Sequence, residues 1–292
     1  MKLQRIASFL FFWAICVCPL QVLSQSIIPN ENSITLVSYN IRYANPGDSS
    51  NSWENRKLAL VDQVKSYHPD FVNIQEGLIQ QIWDMDSLLG ENWSWIGVGR
   101  DDGKNKGEFS AIFYRSDRFD NLYQQTKWLS PTPSIPSKGW DAALPRVVTY
   151  GRFKPRNSDK AFWIFNTHFD HVGTIARNES MKLIHAIILE ATVNSENTLL
   201  TGDFNSNPSS EPIQWMSSRM KDCHLSCSGI QAQNDFRGTF NGFSKVVSTG
   251  NRIDYIFTSH NLKCLNYFID YRLRGLQLYY SDHYPVIAQF QY

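Results

Sequence analysis

This chain of 292 residues has no internal repeat, which argues against solenoids and propellers. It has no Gly/Ser linker and no long low-complexity stretch, so nothing marks a hinge and disorder of the whole chain is excluded. It has no excess of one charge: 28 Lys and Arg stand against 27 Asp and Glu, for a net +1. A near-neutral chain exerts no global pull on nucleic acid or anionic membrane, although a local basic cleft is compatible with it. Only one apolar run is long, Ile6 to Val17, and it is short for a transmembrane span. Cysteine is scarce, at five. A structural zinc on Cys223, Cys227 and Cys264 is not expected.

What is present begins with the N-terminus. Lys2 and Arg5 precede the apolar run, and a neutral stretch ends at Val22-Leu23-Ser24 before Gln25. Basic start, apolar middle and small-residue exit are the parts of a secretory signal. We expect residues 1–24 to be a signal peptide, residues 25–292 to be the folded domain, and the product to be secreted or periplasmic; an uncleaved anchor is the alternative. Loss of Lys2 and Arg5 takes the net charge from +1 to −1. Cys16 and Cys18 go with that segment, and an oxidising compartment would allow one disulfide among the remaining three cysteines, with one odd thiol. The hydrophobic share of 42% is enough for a large core.

Short apolar runs alternate with helical patterns. Strands are expected at 34–41, 71–75, 93–98, 109–114, 147–153, 162–167, 198–202, 252–258, 264–271 and 286–290. Helices are expected at 53–67, 78–89 and 175–193. In the first helix Trp53, Leu60, Val61, Val64 and Tyr67 share one side, and His68-Pro69-Asp70 stops it. The link between Phe153 and Phe162 is polar and holds Pro155, Asn157 and Asp159, a hairpin signal, so the sheets are not purely parallel. This predicts a mixed α/β protein, two sheets packed face to face with helices outside. The Pro- and Ser-rich stretch from Leu129 to Leu144 reads as a surface loop near the site.

Several of these strands end on polar residues: Asn40, Glu76, His168 and Asp203. If the strands are neighbours in one sheet, the four groups meet at one rim, where loops on a rigid frame carry function; singly, each reads as a turn residue or helix cap. In Gly202-Asp203-Phe204-Asn205, Asp203 and Asn205 offer the oxygen ligands that hard cations take, or an Asx-turn without ligand. Ser281-Asp282-His283 sets an acid beside the side chain best matched to proton transfer at neutral pH. Asp254 lies inside an apolar strand and needs a partner, either a histidine, as in the orienting acid of a triad, or the adjacent Arg252. His168 and His171 share one segment, and Glu108 could orient one of them.

These residues resemble the endonuclease/exonuclease/phosphatase superfamily of DNase I-like fold. The motifs are Asn40, Gln75-Glu76, Thr167-His168, Gly202-Asp203-Phe204-Asn205, Arg252-Ile253-Asp254 and Ser281-Asp282-His283, in the family's order from about Ile34 to the C-terminus. The resemblance implies a four-layer α/β sandwich and a divalent metal, Mg²⁺ with Mn²⁺ as the alternative. It implies that Glu76 binds the metal, that Asp282 holds the metal or its water, and that Asn40 joins the metal set, contacts phosphate or supports Glu76. Asp203 and Asn205 would orient the attacking water and the phosphate, and His283, paired with Asp254, would act as base. His168 would stabilise the phosphorane or protonate the leaving oxygen, with Glu108 orienting it.

The chemistry stands without the family name. Phosphoester hydrolysis needs charge neutralisation, an in-line nucleophile and a stabilised leaving group, and a metal with two histidines covers these. We therefore expect a Mg²⁺-dependent phosphodiesterase or phosphatase, a monomer acting on a small-molecule ester, a lipid head group or a short nucleic acid, with no stable membrane span after processing. Arg100, Lys104, Arg146 and Arg177 are candidate phosphate or carboxylate clamps, with His171 beside them; the alternative for each cation is a solvated surface charge. The missing basic surface argues against long duplex DNA. A nuclease for RNA or single-stranded DNA would need stacking aromatics, for which Trp128, Trp140 and Tyr150 are the candidates. A pocket that binds phosphate ligands without catalysis is the reading from another class.

Overall fold

The computed structural model describes residues 33–192, 196–227, 238–244, 252–275 and 278–291. The expected signal peptide lies outside the described residues. Along the chain run β1 (Ser33–Asn40), α1 (Trp53–Lys65), β2 (Phe71–Gln75), α2 (Ile79–Leu89), β3 (Trp93–Ile96), β4 (Ile112–Arg115), β5 (Phe119–Trp128), β6 (Val147–Pro155) and β7 (Phe162–His168). There follow α3 (Thr174–Ala191), β8 (Asn197–Asp203), α4 (Glu211–Ser217), β9 (Lys221–Asp222), α5 (Cys223–Ser226), β10 (Asp254–Thr258), β11 (Lys263–Ile269) and β12 (Val286–Gln291).

The strands form two six-stranded mixed sheets, ordered β11-β12-β1-β2-β4-β3 and β5-β6-β7-β8-β10-β9. β6 and β7 pair antiparallel, as their polar link predicts, whereas β1 and β2, and β7 and β8, run parallel. Side-chain alternation builds the layers. In β1, Ile34 and Leu36 enter the core between the sheets, while Val37 and Tyr39 face Leu60, Val64 and Ile82 of α1 and α2. In the second sheet Phe162 and Ile164 point inward, and Phe165 and Leu200 pack on Met181 and Ile184 of α3. The result is the expected four-layer sandwich, and β1, covered on both faces, is buried throughout.

The layer between the sheets changes character along its length. One end is aromatic: the Phe71 ring lies 4.8, 5.0 and 5.7 Å from those of Phe119, Phe153 and Phe162. Toward the other end it turns polar. Asn73 donates to Thr201 Oγ1 (2.8 Å), Gln75 donates to Asn166 Oδ1 (2.7 Å), and Asn166 donates to the carbonyls of Ile74 and Ala111. Each of these amides joins one sheet to the other and so fixes their relative placement.

Four elements lie outside the expectation, β5, α4 and the short β9 and α5. β5 carries half-buried Asp120 and Asn121 and exposed Gln124 and Gln125 at a sheet edge, so it lacks the apolar alternation that marks a strand. α4 is short and has Pro212 in its first turn. At the opposite edges of the sheets, the sulfurs of Cys227, just after α5, and Cys264, on β11, approach to 2.8 Å.

Candidate active site

Strand register assembles the site at the polar end of the sandwich. His168, the last residue of β7, pairs with Asp203, the last of β8, and Asp203 pairs in turn with Asp254, the first of β10. In the other sheet Asn40 pairs with Gln75, and Glu76 follows. The four polar strand ends therefore converge, but not as neighbours in one sheet: Asn40 and Glu76 come from one sheet, His168 and Asp203 from the other, and they meet because the sheets stack face to face. Asn40 bridges them, with its Nδ2 donating to Glu76 Oε1 and to Asp203 Oδ2, both at 3.0 Å.

The backbone is bent to aim these groups. Glu76 and Asn205 sit in the left-handed region (φ 65° and 45°), which costs a non-glycine residue on the order of 1 kcal/mol or more and is concentrated at functional sites. Gly202 is required where it stands: its φ is 151°, and a Cβ would lie 2.1 Å from the carbonyl oxygen of Thr167.

His283 Nδ1 lies 2.9 Å from Asp254 Oδ2, and Nε2 lies 3.7 Å from Asp203 Oδ2. The partner of Asp254 is thus the histidine; Arg252 pairs with Asp222 instead, at 2.7 Å. Burial opposes a charge on His283, but the carboxylates of Asp254 and Asp203 outweigh it and push the imidazole up to about 10. Burial, with Asp254 alongside, pushes Asp203 up to about 7. Phe240 packs edge-on against the His283 ring at 5.0 Å, and Thr239 Oγ1 accepts the backbone N–H of Asp254.

His168 is buried, and its Nε2 lies 3.1 Å from Asn205 Nδ2 and 3.5 Å from Asp203 Oδ2. Its pKa is held well below the usual value, first by burial and then by the guanidiniums of Arg146 and Arg100, so this imidazole is neutral. Glu108, expected to orient it, stands 3.7 Å from His168 Nδ1, beyond hydrogen-bond length, because Arg100 takes the same carboxylate oxygen at 2.5 Å.

Two sets of side chains could hold a divalent cation. Asp203, Asp254 and His283 gather their donor atoms within 4.8 Å, but there His283 Nδ1 is already taken by Asp254 Oδ2, while Asp254 Oδ1 has no hydrogen-bond partner. Glu76 and Asp282 are like-charged oxygen ligands, and burial, together with the Glu76 charge, pushes Asp282 up to about 6. A half-buried and a buried carboxylate that repel each other are a donor set that a hard cation relieves, so Glu76 and Asp282 fit the ion better. Asn40 turns its amide nitrogen to the carboxylates and its oxygen to the N–H of Arg42 (3.0 Å), which makes it their support and not a ligand.

Of the candidate clamps, only Lys104 is exposed. Arg100 and Arg146 are buried, so the reading as solvated surface charges fails for both. Arg146 spans Asp170 (3.4 Å) and His171 Nδ1 (3.0 Å), while Arg177 donates to the Asp170 carbonyl and to Thr174 Oγ1. The expected stacking groove is not formed: Trp128 and Tyr150 are buried, Trp128 donating to the Arg100 carbonyl and Tyr150 stacking on Phe165, and only Trp140 is exposed.

Two supporting residues carry no motif. Arg56 on α1 is fully buried and donates to the carbonyls of Ile41, Arg42 and Tyr280, so it ties the end of β1 to the segment before Ser281. Arg42 lies 3.6 Å from Asp282 and is held by Asp48. An arginine at the first turn of a helix gives no sign in the sequence that it is inward.

The chain is similar to known proteins over this whole frame. Residues 37–283 match the model of the Endonuclease/Exonuclease/phosphatase family. An uncharacterised protein of Acanthamoeba polyphaga mimivirus is 29% identical over 161 residues, 53% of this chain; the chain spans 60% of the length of that curated relative. Among solved structures, a Bacteroides thetaiotaomicron mannosyl-6-phosphatase superposes with a TM-score of 0.83 at 36% identity, covering 89% of this chain and 100% of that one. A family member from Bacteroides vulgatus gives 0.83 at 34%, covering 88% and 98%. With both sheets, the ordered motifs and the family match in agreement, the chain belongs to the endonuclease/exonuclease/phosphatase family, whose members are hydrolases of phosphoesters.

Proposed function

We propose that this protein is an exported, divalent-metal-dependent hydrolase of phosphate esters. The observation that carries the reading is the convergence, at one end of the sandwich, of an oxygen-ligand pair (Glu76, Asp282), a buried Asp254–His283 relay and a second, neutral histidine, His168, beside Asn205. When bound, the cation supplies charge neutralisation on phosphate oxygens and acidifies water.

The chain's own residues do the rest. Asp254 fixes Nδ1 of His283; the neighbouring carboxylates favour the imidazolium, so it is the neutral minority form whose Nε2 takes a proton from water. Asp203 accepts from Asn40 and from the Asn205 backbone N–H (2.9 Å), so its carboxylate is held still between the two histidines. His168, neutral, accepts from Asn205 Nδ2 at its Nε2, so it holds the Asn205 amide in place and is unsuited to delivering a proton. Burial of Asn40, His168, Asp203, Asp254 and His283 lowers the local dielectric and strengthens each interaction. The Bacteroides protein named mannosyl-6-phosphatase, 36% identical, supports a phosphate monoester as substrate. Export rests on the basic, apolar and small-residue order of residues 1–24.

The test is product release from a panel of phosphomonoesters and phosphodiesters, including bis-p-nitrophenyl phosphate, sphingomyelin, inositol phosphates and RNA, in Mg²⁺ and in EDTA. Cleavage of one class in Mg²⁺, abolished by EDTA, is the expected result. No cleavage by the folded protein, or cleavage indifferent to EDTA, would overturn the reading.

A further inference from the structure

Three of the five cysteines meet where the edges of the two sheets come together. Cys223 opens α5, Cys227 follows that helix, and Cys264 lies on β11. The sulfurs of Cys227 and Cys264 stand 2.8 Å apart, and the Cys264 thiol also hydrogen-bonds with Cys223. The three differ in access: Cys223 and Cys264 are buried, and Cys227 is half-buried. A reagent therefore reaches Cys227 first.

The chain between Cys227 and Cys264 carries part of the site. Residues 239–242 clasp the segment Ser281-Asp282-His283. The backbone N–H groups of Asn241 and Gly242 donate to the Asp282 carbonyl at 2.7 and 3.0 Å, and the Tyr284 N–H donates to the Thr239 carbonyl at 2.7 Å. Asn241 Nδ2 donates to the Ser281 carbonyl at 3.1 Å. Thr239 Oγ1 accepts the N–H groups of Ile253 and Asp254. The clasp thus joins Asp254, at the start of β10, to His283, ahead of β12 in the other sheet. A cross-link between Cys227 and Cys264 would close residues 228–263 into a loop and restrict how far the clasp can open.

We infer that Cys227 and Cys264 form a disulfide, that Cys223 is the remaining thiol, and that the bond holds the clasp on Asp282 and His283. Three cysteines allow three pairings, and sulfur contact with access selects this one. A Cys223–Cys227 bond would close a single helical turn and reach neither β11 nor the clasp. The inference is independent of the phosphoester-hydrolase reading.

The oxidant is a disulfide donor, either a small molecule or a protein. Contact with Cys223, and then burial, push the Cys264 thiol up, so Cys227 opens the exchange. Its thiolate attacks one donor sulfur, the donor S–S bond breaks, and one donor thiol leaves. Cys264 then gives up its proton and attacks the Cys227 sulfur of the mixed disulfide, which releases the second donor thiol. Two protein thiols are oxidised, the donor disulfide is reduced to two thiols, and the two protons pass to them.

The experiment incubates the full chain with glutathione disulfide at pH 8 and compares it with the chain reduced by dithiothreitol. Peptide mapping without reductant should show the peptide of Cys227 joined to that of Cys264. Cys223→Ser should keep the link, and Cys227→Ser and Cys264→Ser should each lose it. The oxidised parent should unfold about 5–10 °C above the reduced parent. Its Asn241, Gly242 and Tyr284 amides should exchange hydrogen more slowly, and Cys227→Ser should show neither response. Three alkylatable thiols among Cys223, Cys227 and Cys264 after oxidation, or a link that Cys223→Ser abolishes, would overturn the pairing. A Cys227–Cys264 link that leaves the exchange of those amides unchanged would overturn the role given to the bond.

Discussion

The two ends of the layer between the sheets are built from the same strands and do opposite things. At one end Phe71 of β2 packs on Phe119, Phe153 and Phe162, all 2% exposed or less. Four residues on in the same short strand, Gln75 donates to Asn166, and Glu76 next to it turns into the site. The aromatic end is non-directional and supplies burial. The polar end is directional, since each amide has one geometry that satisfies it, so it sets where one sheet lies against the other at the cost of desolvating its members. Stability is thus concentrated at one end and positional accuracy at the other, and the proposed catalytic groups stand on the accurate end.

Substitutions separate these roles. The largest effect on stability is expected from Phe71→Ala, about 3–5 kcal/mol, read as a lowered denaturant midpoint, with turnover per folded molecule retained. A loss of turnover out of proportion to folding would break the division. Asn166→Ala should cost less, about 1–3 kcal/mol for the orphaned partners. It should also lower turnover in the fraction that stays folded, because the carbonyls of Ile74 and Ala111 and the Gln75 amide lose their cross-sheet partner; unchanged turnover would show that the amide belt does not position the site.

The smallest effect concerns the rim. Burial works against the charge of Asp170, but the backbone N–H groups of Gly173, Ala143 and Val172, together with Arg146, outweigh it and hold its pKa below the usual range. A depressed carboxylate contributes stability above its unfolded pKa of about 3.9 and loses it as pH falls toward the folded value. Asp170→Asn should therefore be less stable than the parent at neutral pH, and the gap should close as pH falls below about 4. A gap independent of pH would remove the carboxylate from the account.

The contrast also explains what the sequence made legible. Polar residues that close apolar runs, Asn40, Glu76, His168 and Asp203, stand out because a run is easily read. That they come from two sheets is not local information, since stacking is decided by packing. Asp254 was legible as a charge needing a partner, and its register beside Asp203 and its bond to His283 follow only once β8 and β10 are neighbours. Glu108 was readable as a nearby acid, but its capture by Arg100 depends on a loop whose course no periodicity records. β5 escaped because both faces of its middle are solvated at the sheet edge, so it shows no apolar alternation, and Arg56 escaped because a buried arginine in a helix differs from a surface one only in its partners.

The central claim is that Glu76 and the Asp254–His283 relay perform phosphoester hydrolysis without holding up the fold. The direct measurement is turnover of the most readily cleaved ester by Glu76→Ala and His283→Ala, alongside each variant's unfolding midpoint. Both variants are predicted to fold and to lose turnover by about 100-fold or more. A folded variant of either kind that keeps the parent rate on every cleaved ester would contradict the assignment.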